Sequence, residues 1–416
     1  MNQAEKNFTL GVVREGLWGM GFGFITPATI LTLALVDMGR SAVSASLLSA
    51  VLSLGILGPQ IFSAFLLSPK FTHPKPLAWL HSLILLGVLS AGIGFLVIPP
   101  EVTVARLVLL FSGIAIFALG IGLVEPHWIA SMGRCIPQRV RGRFFGSLVF
   151  ISSLCATFSG WLASHWVAHN GPTGGYAYCF LSAFVCMVSS VILLAYMEPL
   201  GPAPHRPPTG ALKNGFKLLN QKLSQSGPFR GGIILTMLLY LGCFPAALLT
   251  VYLREQVKLD ASWFEIYTPA LTLGMMAGAL LLGLLLDHRG LKSAFTLAFL
   301  VGLSVPLLAF QGQHPLVSLG GYLCAGFFTI GYTLISPVLI LRISHHKESS
   351  VQAGLFNSLM IPFSLSALGY GFVASHWGYG AAFGTGIVFC VTALLILTRI
   401  GSLNPEPKNQ RRAQRR

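Results

Sequence analysis

The chain has 416 residues, of which 54% are apolar and only 9% are charged. Its mean hydropathy of +0.74 lies far above the range of soluble proteins. This composition excludes a soluble globular protein and indicates a membrane protein with several spans. Backbone polar groups cannot stay unpaired in lipid, and the alternating pattern of a membrane barrel is absent, so the spans must be helices.

Twelve stretches of the chain are long enough to cross a bilayer, because about 20 apolar residues span a hydrocarbon core ~30 Å thick. They cover residues 9–36, 42–68, 77–98, 104–132, 144–168, 175–197, 231–254, 263–286, 291–311, 315–343, 351–376 and 379–399. The first stretch is too long for the core of a signal peptide, so we expect it to be retained. The sequence therefore predicts an all-α integral membrane protein with twelve helices.

The basic residues predict that both termini are cytoplasmic. In that orientation only four of the 27 Lys and Arg residues lie outside, namely Arg40, Arg106, Arg254 and Lys258. This bias accounts for the net charge of +15 without a nucleic-acid partner. We expect a monomeric multi-pass protein in the lipid bilayer of a bacterial cytoplasmic (inner) membrane.

The sequence contains no motif for catalysis, a metal or a cofactor. Its seven cysteines are scattered, without a CxxC pair, and neither HExxH nor GxSxG nor a paired-Asp motif occurs. We therefore expect no disulfide, no metal, no cofactor and no enzymatic activity.

One long polar interval, rich in proline and then in basic residues, divides the chain into two sets of six helices. It predicts a cytoplasmic linker at 199–230 between an N-terminal bundle at 1–198 and a C-terminal bundle at 231–400, followed by a basic tail at 401–416. The linker contains a possible amphipathic helix at 212–223, with a partly ordered linker as the alternative.

The two halves are related by an internal repeat. With a shift of 211 positions, residues 145–166 and 356–377 match at 11 of 22 positions, and both end in Ala-Ser-His-Trp. The same shift pairs Pro126 with Pro337, and a slightly larger one pairs residues 27–32 with 245–250. Two parallel repeats of six helices form one common transporter architecture, with its site at the interface of the halves.

Twelve helices in two related halves resemble the major facilitator superfamily of secondary transporters. Two loop motifs strengthen the resemblance, GLLLDHRGLK at 283–292 and PQRVRGR at 137–143. The resemblance implies a cytoplasmic gate, whose candidate residues are Arg141, Arg143, Asp287, Arg289 and Lys292. The corresponding loop of the first half, AFLLSPKFTH at 64–73, departs from the pattern, because Ser68 replaces the aspartate of the motif. Ordinary positive-inside charges are the alternative interpretation of the basic gate residues.

Charges at membrane depth occur in the first half alone. Of the twelve acidic residues, only Glu15 and Glu125 lie well inside apolar stretches, where a charge costs about 2.5 to 3.5 kcal/mol on insertion scales. The repeat replaces Glu125 with Ser336 and Arg14-Glu15 with Gly232-Ile233. Function explains such costly residues better than packing does.

Arg14 and Glu125 are expected at the same depth, roughly 12 to 14 Å from the inner ends of their helices at ~1.5 Å per residue. In the superfamily the first and fourth helices line the central cavity. We therefore predict an Arg14–Glu125 ion pair, with Glu15 directed elsewhere along a stripe that includes Trp18 and Phe22. A structural ion pair, headgroup snorkelling and core packing remain alternatives, and His127 is a weaker coupling candidate.

The second half offers uncharged candidates for substrate contact, Tyr240, Tyr332 and Asn357. Interhelical hydrogen bonding is the alternative for each. The sequence thus predicts secondary active transport of a small solute by alternating access, with protons as the coupling ion. Glu125 is the expected proton carrier, with Arg14 as its switching partner and Glu15 as the second candidate. A small polar or anionic substrate is a weak preference. The alternatives are a non-cycling receptor or assembly factor and a facilitative uniporter.

Overall fold

The computed structural model describes residues 2–137, 140–200, 227–243, 245–311, 314–343 and 349–400, together with 217, 220, 221 and 224. These residues form helices and short turns, and no β-strand occurs among them. The predicted all-α class is therefore confirmed. Most of the predicted linker and all of the basic tail lie outside the described residues.

The first half consists of six membrane helices joined by short connections. They are α1 (Gln3–Asp37), α2 (Ala42–Leu66), α3 (Pro74–Val97), α4 (Thr103–Cys135), α5 (Phe144–Gly171) and α6 (Thr173–Ala195). The second half begins with α7 (Arg230–Glu255), α8 (Phe264–His288), α9 (Leu291–Phe310) and α10 (Pro315–Ile343). Residues 349–377 then form α11 and residues 379–399 form α12.

Eleven helical segments of the described part are long and apolar enough to cross a membrane. The last of these segments contains two membrane crossings. This span, Leu359–Arg399, has 41 residues, or about 60 Å at 1.5 Å per residue, twice the thickness of the hydrocarbon core. Gly378 interrupts it with φ +82°. The chain turns back at this glycine, which gives the twelve crossings that the sequence predicts.

Left-handed glycines make the same turn in both halves. The α5–α6 turn lies at Gly171, with φ +70°, and the α11–α12 turn lies at Gly378. Glycine adopts this backbone region at little cost because it has no Cβ. The repeated Ala-Ser-His-Trp segment precedes both turns, but the turn comes five residues after Trp166 and directly after Trp377, so the shift of 211 does not pair the two glycines.

The first helix of each half is interrupted at a repeated proline. In α1 the helix Gln3–Phe24 gives way to a π-helical turn, Pro27–Leu31, before Thr32–Asp37. In α7 the helix Gly227–Gly242 is followed by Ala246–Glu255, with Pro245 before the second segment. Proline has no N–H to continue the helical hydrogen bonds. The predicted match between 27–32 and 245–250 thus corresponds to a shared helix break.

Glycines let α1 approach α5 closely. A Cβ added at Gly19 would collide with the backbone of Ser152, and one at Gly23 with the backbone of Ala156 and the hydroxyl of Ser159. Small residues at such positions allow backbone contact between membrane helices. This close packing holds α1 against α5 and so sets the position of Arg14 and Glu15, the polar residues on the inner part of α1.

Candidate functional site

A cavity of about 510 Å³ lies between the two halves. Its lining includes both helix breaks, at Pro27 and Pro245, together with the aromatic rings of Phe22, Tyr240 and Tyr332. The remaining polar groups are hydroxyls and a thiol, from Thr26, Ser49, Ser53, Ser152, Ser153, Cys243, Thr272, Thr329, Ser364 and Ser366. No charged or histidine side chain of the described residues lines this cavity.

Three polar side chains form a hydrogen-bonded chain across the interface of the halves. The Nδ2 of Asn357 in α11 donates to the Oε1 of Gln60 in α2 at 3.0 Å. The Nε2 of Gln60 in turn donates to the Oε2 of Glu125 in α4 at 3.2 Å. We call these residues the amide–carboxylate chain. It connects Glu125 of the first half to the second half through a neutral amide.

The amide–carboxylate chain lies on the inner side of the cavity. In α2, whose residues 49–57 contribute to the cavity lining, Gln60 follows one turn closer to the inner end. In α4 the cavity residue is Phe117, and Glu125 lies eight residues further along, or about 12 Å at 1.5 Å per residue. No cationic side chain of the described residues lies within ion-pair distance of Glu125.

The predicted Arg14–Glu125 ion pair is wrong for this conformation. The Nη1 of Arg14 instead lies 2.8 Å from the Oε2 of the adjacent Glu15. Glu15, which was expected to point away from this pair, is itself the partner of Arg14. A flexible arginine side chain can fold back on its neighbour, and doing so compensates both charges within a single helix.

Aromatic rings enclose the Arg14 guanidinium. Its Cζ lies 5.7 Å from the ring centre of Trp18 and 5.5 Å from that of Trp128, within the range of cation–π attraction. The ring of His81 makes an edge contact with Trp18, with 5.7 Å between ring centres. Arg14 is only 3% exposed. The Glu15 side chain keeps 16% of its surface exposed, and neither residue of the Arg14–Glu15 pair lines the cavity.

The other predicted residues of the first half divide between packing and cavity lining. Phe22 lines the cavity and packs against Phe117, with ring centres 5.5 Å apart. His127 is buried, and its ring lies 6.2 Å from that of Phe71, outside the cavity lining. Its place beside Phe71 gives no support for a coupling role.

The two predicted tyrosines of the second half meet at the cavity wall. The ring centres of Tyr240 and Tyr332 are 4.9 Å apart, and both residues line the cavity. The structure thus joins Glu125 to Asn357 through Gln60, places the two tyrosines on the cavity wall, and holds Arg14 and Glu15 in a pair of their own.

Contacts between the halves close the outer end of the cavity. Arg254 of α7 pairs with Asp37 of α1 at 3.3 Å, and Thr250 donates to the carbonyl of Ala28 at 2.6 Å. Alongside, the hydroxyl of Ser164 in α5 donates to that of Thr268 in α8 at 2.8 Å. The described residues thus form an outer face that is held together across the interface.

The predicted gate residues are described only in part. The side chains of Arg141, Arg143 and Asp287 lie outside the described residues. Arg289 is exposed at the end of α8. The Nζ of Lys292 donates to the carbonyl of Ile400 at 2.8 Å and so caps α12 within the second half.

The atypical inner loop of the first half is ordered without an aspartate. Ser68 precedes a 3₁₀ turn, Pro69–Thr72, and its hydroxyl accepts from the Lys70 amide at 3.4 Å. The Nη1 of Arg134, at the end of α4, donates to the hydroxyl of Thr72 at 2.9 Å. Arg134 thus binds the loop through the hydroxyl and the carbonyl of Thr72.

His73 ends this loop and begins α3. Its Nδ1 accepts from the Lys75 amide at 3.3 Å and caps the helix. Burial, and then the positive charges of Arg134 and Lys75, lower the pKa of His73 below its usual value, while Glu198 acts in the opposite direction. The neutral form is the one that accepts the capping hydrogen bond.

Gln60 and His81 were not predicted, because neither is an acidic residue within a span. A buried amide carries no charge and leaves hydropathy almost unchanged. Gln60 directly follows Pro59 inside an apolar stretch, and a search for amides within spans would have found it.

Two six-helix halves around a central cavity define the architecture of a membrane transporter. The sequence matches the Major Facilitator Superfamily over residues 16–365. The chain belongs to this superfamily, as its loop motifs and repeat indicated. No curated protein matches it significantly in sequence.

Solved structures share the fold at low sequence identity. A D-xylose–proton symporter superposes with a TM-score of 0.69 at 15% identity, over 97% of this chain and 100% of that one. The xylose transporter XylE from E. coli, in a partially occluded inward-open conformation, gives 0.65 at 14% identity, over 97% and 98%. A POT family transporter in complex with a thioalcohol-conjugated peptide gives 0.64 at 14% identity, over 96% and 97%.

Proposed function

We propose that this protein is a proton-coupled secondary transporter, not an enzyme, and that Glu125 carries the coupling proton. The observation that carries the proposal is the hydrogen bond of Glu125 to Gln60, which is itself bonded to Asn357 of the opposite half. A carboxylate at membrane depth whose partner is a neutral amide changes its charge without breaking an ion pair. Glu15 lacks this property because Arg14 neutralises it.

Proton binding at Glu125 affects the contact between the halves through Gln60. An ionised carboxylate only accepts hydrogen bonds, whereas a protonated one also donates. The Gln60 amide, which donates to Glu125 and accepts from Asn357, loses its fixed orientation when Glu125 becomes a donor. Protonation therefore changes the strength of the Gln60–Asn357 bond, and a change in this bond shifts the balance between two packings of the halves.

The size and lining of the cavity favour a small uncharged substrate with both apolar and hydrogen-bonding groups. Its volume of about 510 Å³ falls within the range of roughly 300 to 1,000 Å³ that is usual for ligand pockets. The lining combines aromatic and aliphatic surface with hydroxyls. The Arg14 guanidinium lies outside the cavity, so we propose no role for Arg14 in binding a polar or anionic substrate. Solved relatives with this fold include transporters of xylose, nucleosides and peptides.

The test begins with a thermal-shift screen of neutral metabolites on the purified protein, followed by uptake into proteoliposomes with and without an inward proton gradient. We expect the gradient to stimulate uptake by wild type and not by Glu125→Gln, which resembles the protonated carboxyl group in having both a donor and an acceptor but does not titrate. Glu101→Gln, the same change in an exposed outer loop, is the matched control and should behave as wild type.

Each result distinguishes the alternatives. Gradient stimulation that persists in Glu125→Gln would reject Glu125 as the carrier. Uptake by wild type without any response to the gradient would identify a facilitative uniporter. Binding of the ligand without uptake would identify a receptor that does not cycle.

A further inference from the structure

Two histidines and a glutamate converge at the outer end of the interface, outside the cavity and the amide–carboxylate chain. His165 and His169 occupy one face of the last turns of α5, four residues apart, and their ring centres are 4.1 Å apart. Glu265 lies in the first turn of α8, in the opposite half. Its Oε2 lies 3.5 Å from Nδ1 of His165, and its Oε1 lies 3.6 Å from Nδ1 of His169.

The three side chains have the chemistry and spacing of a metal site. Each offers one ligand atom, and these atoms lie within 4.8 Å of one another. Tetrahedral zinc sites with bonds of 2.0 to 2.2 Å separate their ligand atoms by about 3.3 Å, so small side-chain rotations bring the three to coordination distance. Two imidazoles and one carboxylate, with a position left for water, suit Zn²⁺ and similar ions.

The surroundings favour a cation at this place. The α5 helix ends at Gly171, so the ion would lie near the negative end of a helix dipole. Nδ1 of His169 lies 2.9 Å from the carbonyl oxygen of His165, a contact that fixes the orientation of the ring. The ring of Trp161 stacks on His165, with 5.9 Å between centres, and restricts its rotation.

We propose that His165, His169 and Glu265 bind a divalent transition-metal ion of the Zn²⁺ type from the outer solution, and that this ion holds the two halves together at the outer face. The ligands come from both halves, so opening of the cavity to the outside would separate them. A ligand set that exists only in the closed arrangement stabilises that arrangement when it is occupied.

The sequence repeat supplies a matched control. His376 corresponds to His165 in the second copy of Ala-Ser-His-Trp. The chain turns at Gly378 before a counterpart of His169 could follow. The ring of His376 stacks on Phe372, and its Nδ1 bonds to Ser375 at 2.9 Å. The second half thus has a histidine at the position that corresponds to His165, but it has no counterpart of His169.

The first experiment is titration of the purified full-length protein with Zn²⁺ in a calorimeter. His165→Ala, His169→Ala and Glu265→Gln should each weaken zinc binding at least about tenfold, since even partners of metal ligands commonly contribute 10- to 100-fold. His376→Ala should remain within about twofold of wild type. Because the chain also has seven cysteines, the titration is repeated after alkylation of accessible thiols. Zinc binding of wild-type strength in His169→Ala and Glu265→Gln would overturn the metal site.

The second experiment tests the connection between the halves by labelling Cys243, which lines the cavity, with a membrane-impermeant maleimide from the outer side. The background is a variant in which Cys243 is the only cysteine. Zinc should slow labelling at least threefold, and His165→Ala/His169→Ala should abolish this effect. An unchanged labelling rate with zinc bound would overturn the closing role. If Cys243 is not labelled even without zinc, alternating access fails, whereas calorimetry still decides the metal site.

Discussion

Gln60 and Asn357 are separated by 297 positions in the chain, yet their side-chain amides meet at 3.0 Å and join the two halves of the protein. The acceptor amide also binds Glu125. The contact therefore connects a carboxylate at membrane depth with the interface that must rearrange during transport.

We expect Gln60 and Asn357 to be energetically coupled. A double-mutant cycle of Gln60→Ala and Asn357→Ala, measured by unfolding in detergent, should give an interaction free energy of about 0.6 to 1.7 kcal/mol, the range for hydrogen bonds between membrane helices. A second cycle that combines Asn357→Ala with Asn170→Ala, at the outer end of α5, should be additive. Additivity in both cycles would contradict the contact.

Removal of one member of the Arg14–Glu15 pair should be costly, and removal of both should be mild. Arg14→Gln leaves Glu15 without its cation, and the loss of one partner of a buried pair costs about 3 to 5 kcal/mol. Arg14→Gln/Glu15→Gln removes both charges and should recover most of this loss. The free energy of unfolding measures both effects. A double variant that is as unstable as the sum of the single variants would show that the pair does not exist.

His73 should make the protein less stable in acid. Its pKa is lowered in the folded state, so the unfolded chain binds this proton more readily. The contribution is complete above the ordinary histidine pKa of ~6.5 and is lost as the pH falls below that value. His73→Asn keeps a helix-capping oxygen and removes the titration. Its melting temperature should therefore fall less than that of wild type between pH 7.5 and 5.5.

The control for His73 is His288→Asn, at an exposed histidine in the last turn of α8. Its acid response should match that of wild type. Equal acid responses of His73→Asn and wild type would mean that His73 has no role in acid sensitivity.

Gly19→Ala should disturb the packing of α1 on α5. The new Cβ would collide with the backbone of Ser152. Backbone atoms cannot rotate away as the end of a flexible side chain can, and overpacking of this kind costs about 1 to 3 kcal/mol. Gly58→Ala in α2, where a Cβ meets no atom within 4 Å, should be neutral or stabilising, since alanine is the better helix former by about 1 kcal/mol. Thermal unfolding that ranks the two variants in the reverse order would contradict this packing.

The repeat explains why much of the architecture was predictable. Pro27 and Pro245 mark helix breaks in both halves, and Ala-Ser-His-Trp precedes the turns at Gly171 and Gly378. Each of these features depends on local backbone properties, namely the missing N–H of proline and the left-handed conformation of glycine. A comparison of the halves pairs the two prolines directly, whereas the turn glycines lie at different distances from Ala-Ser-His-Trp.

Partners of buried side chains were less predictable. The sequence places Glu125 well inside its apolar stretch. The prediction that it pairs with Arg14 was based only on the equal expected depth of the two residues. Two positions at the same depth still differ in their rotation around the helix axis, and a long arginine side chain reaches in several directions. The preference for Glu15 over Glu125 arises from rotamers and from the tryptophans around Arg14.

The sequence by itself determined the membrane class, the repeat that pairs Pro27 with Pro245, and the presence of two acidic residues inside apolar spans, because these depend on hydropathy and on residue identity along the chain. Only the tertiary structure decided that Glu125 binds Gln60, that Asn357 completes the connection to the other half, and that His165 and His169 face Glu265. Those contacts depend on the rotation and approach of helices far apart in the chain, which hydropathy does not encode.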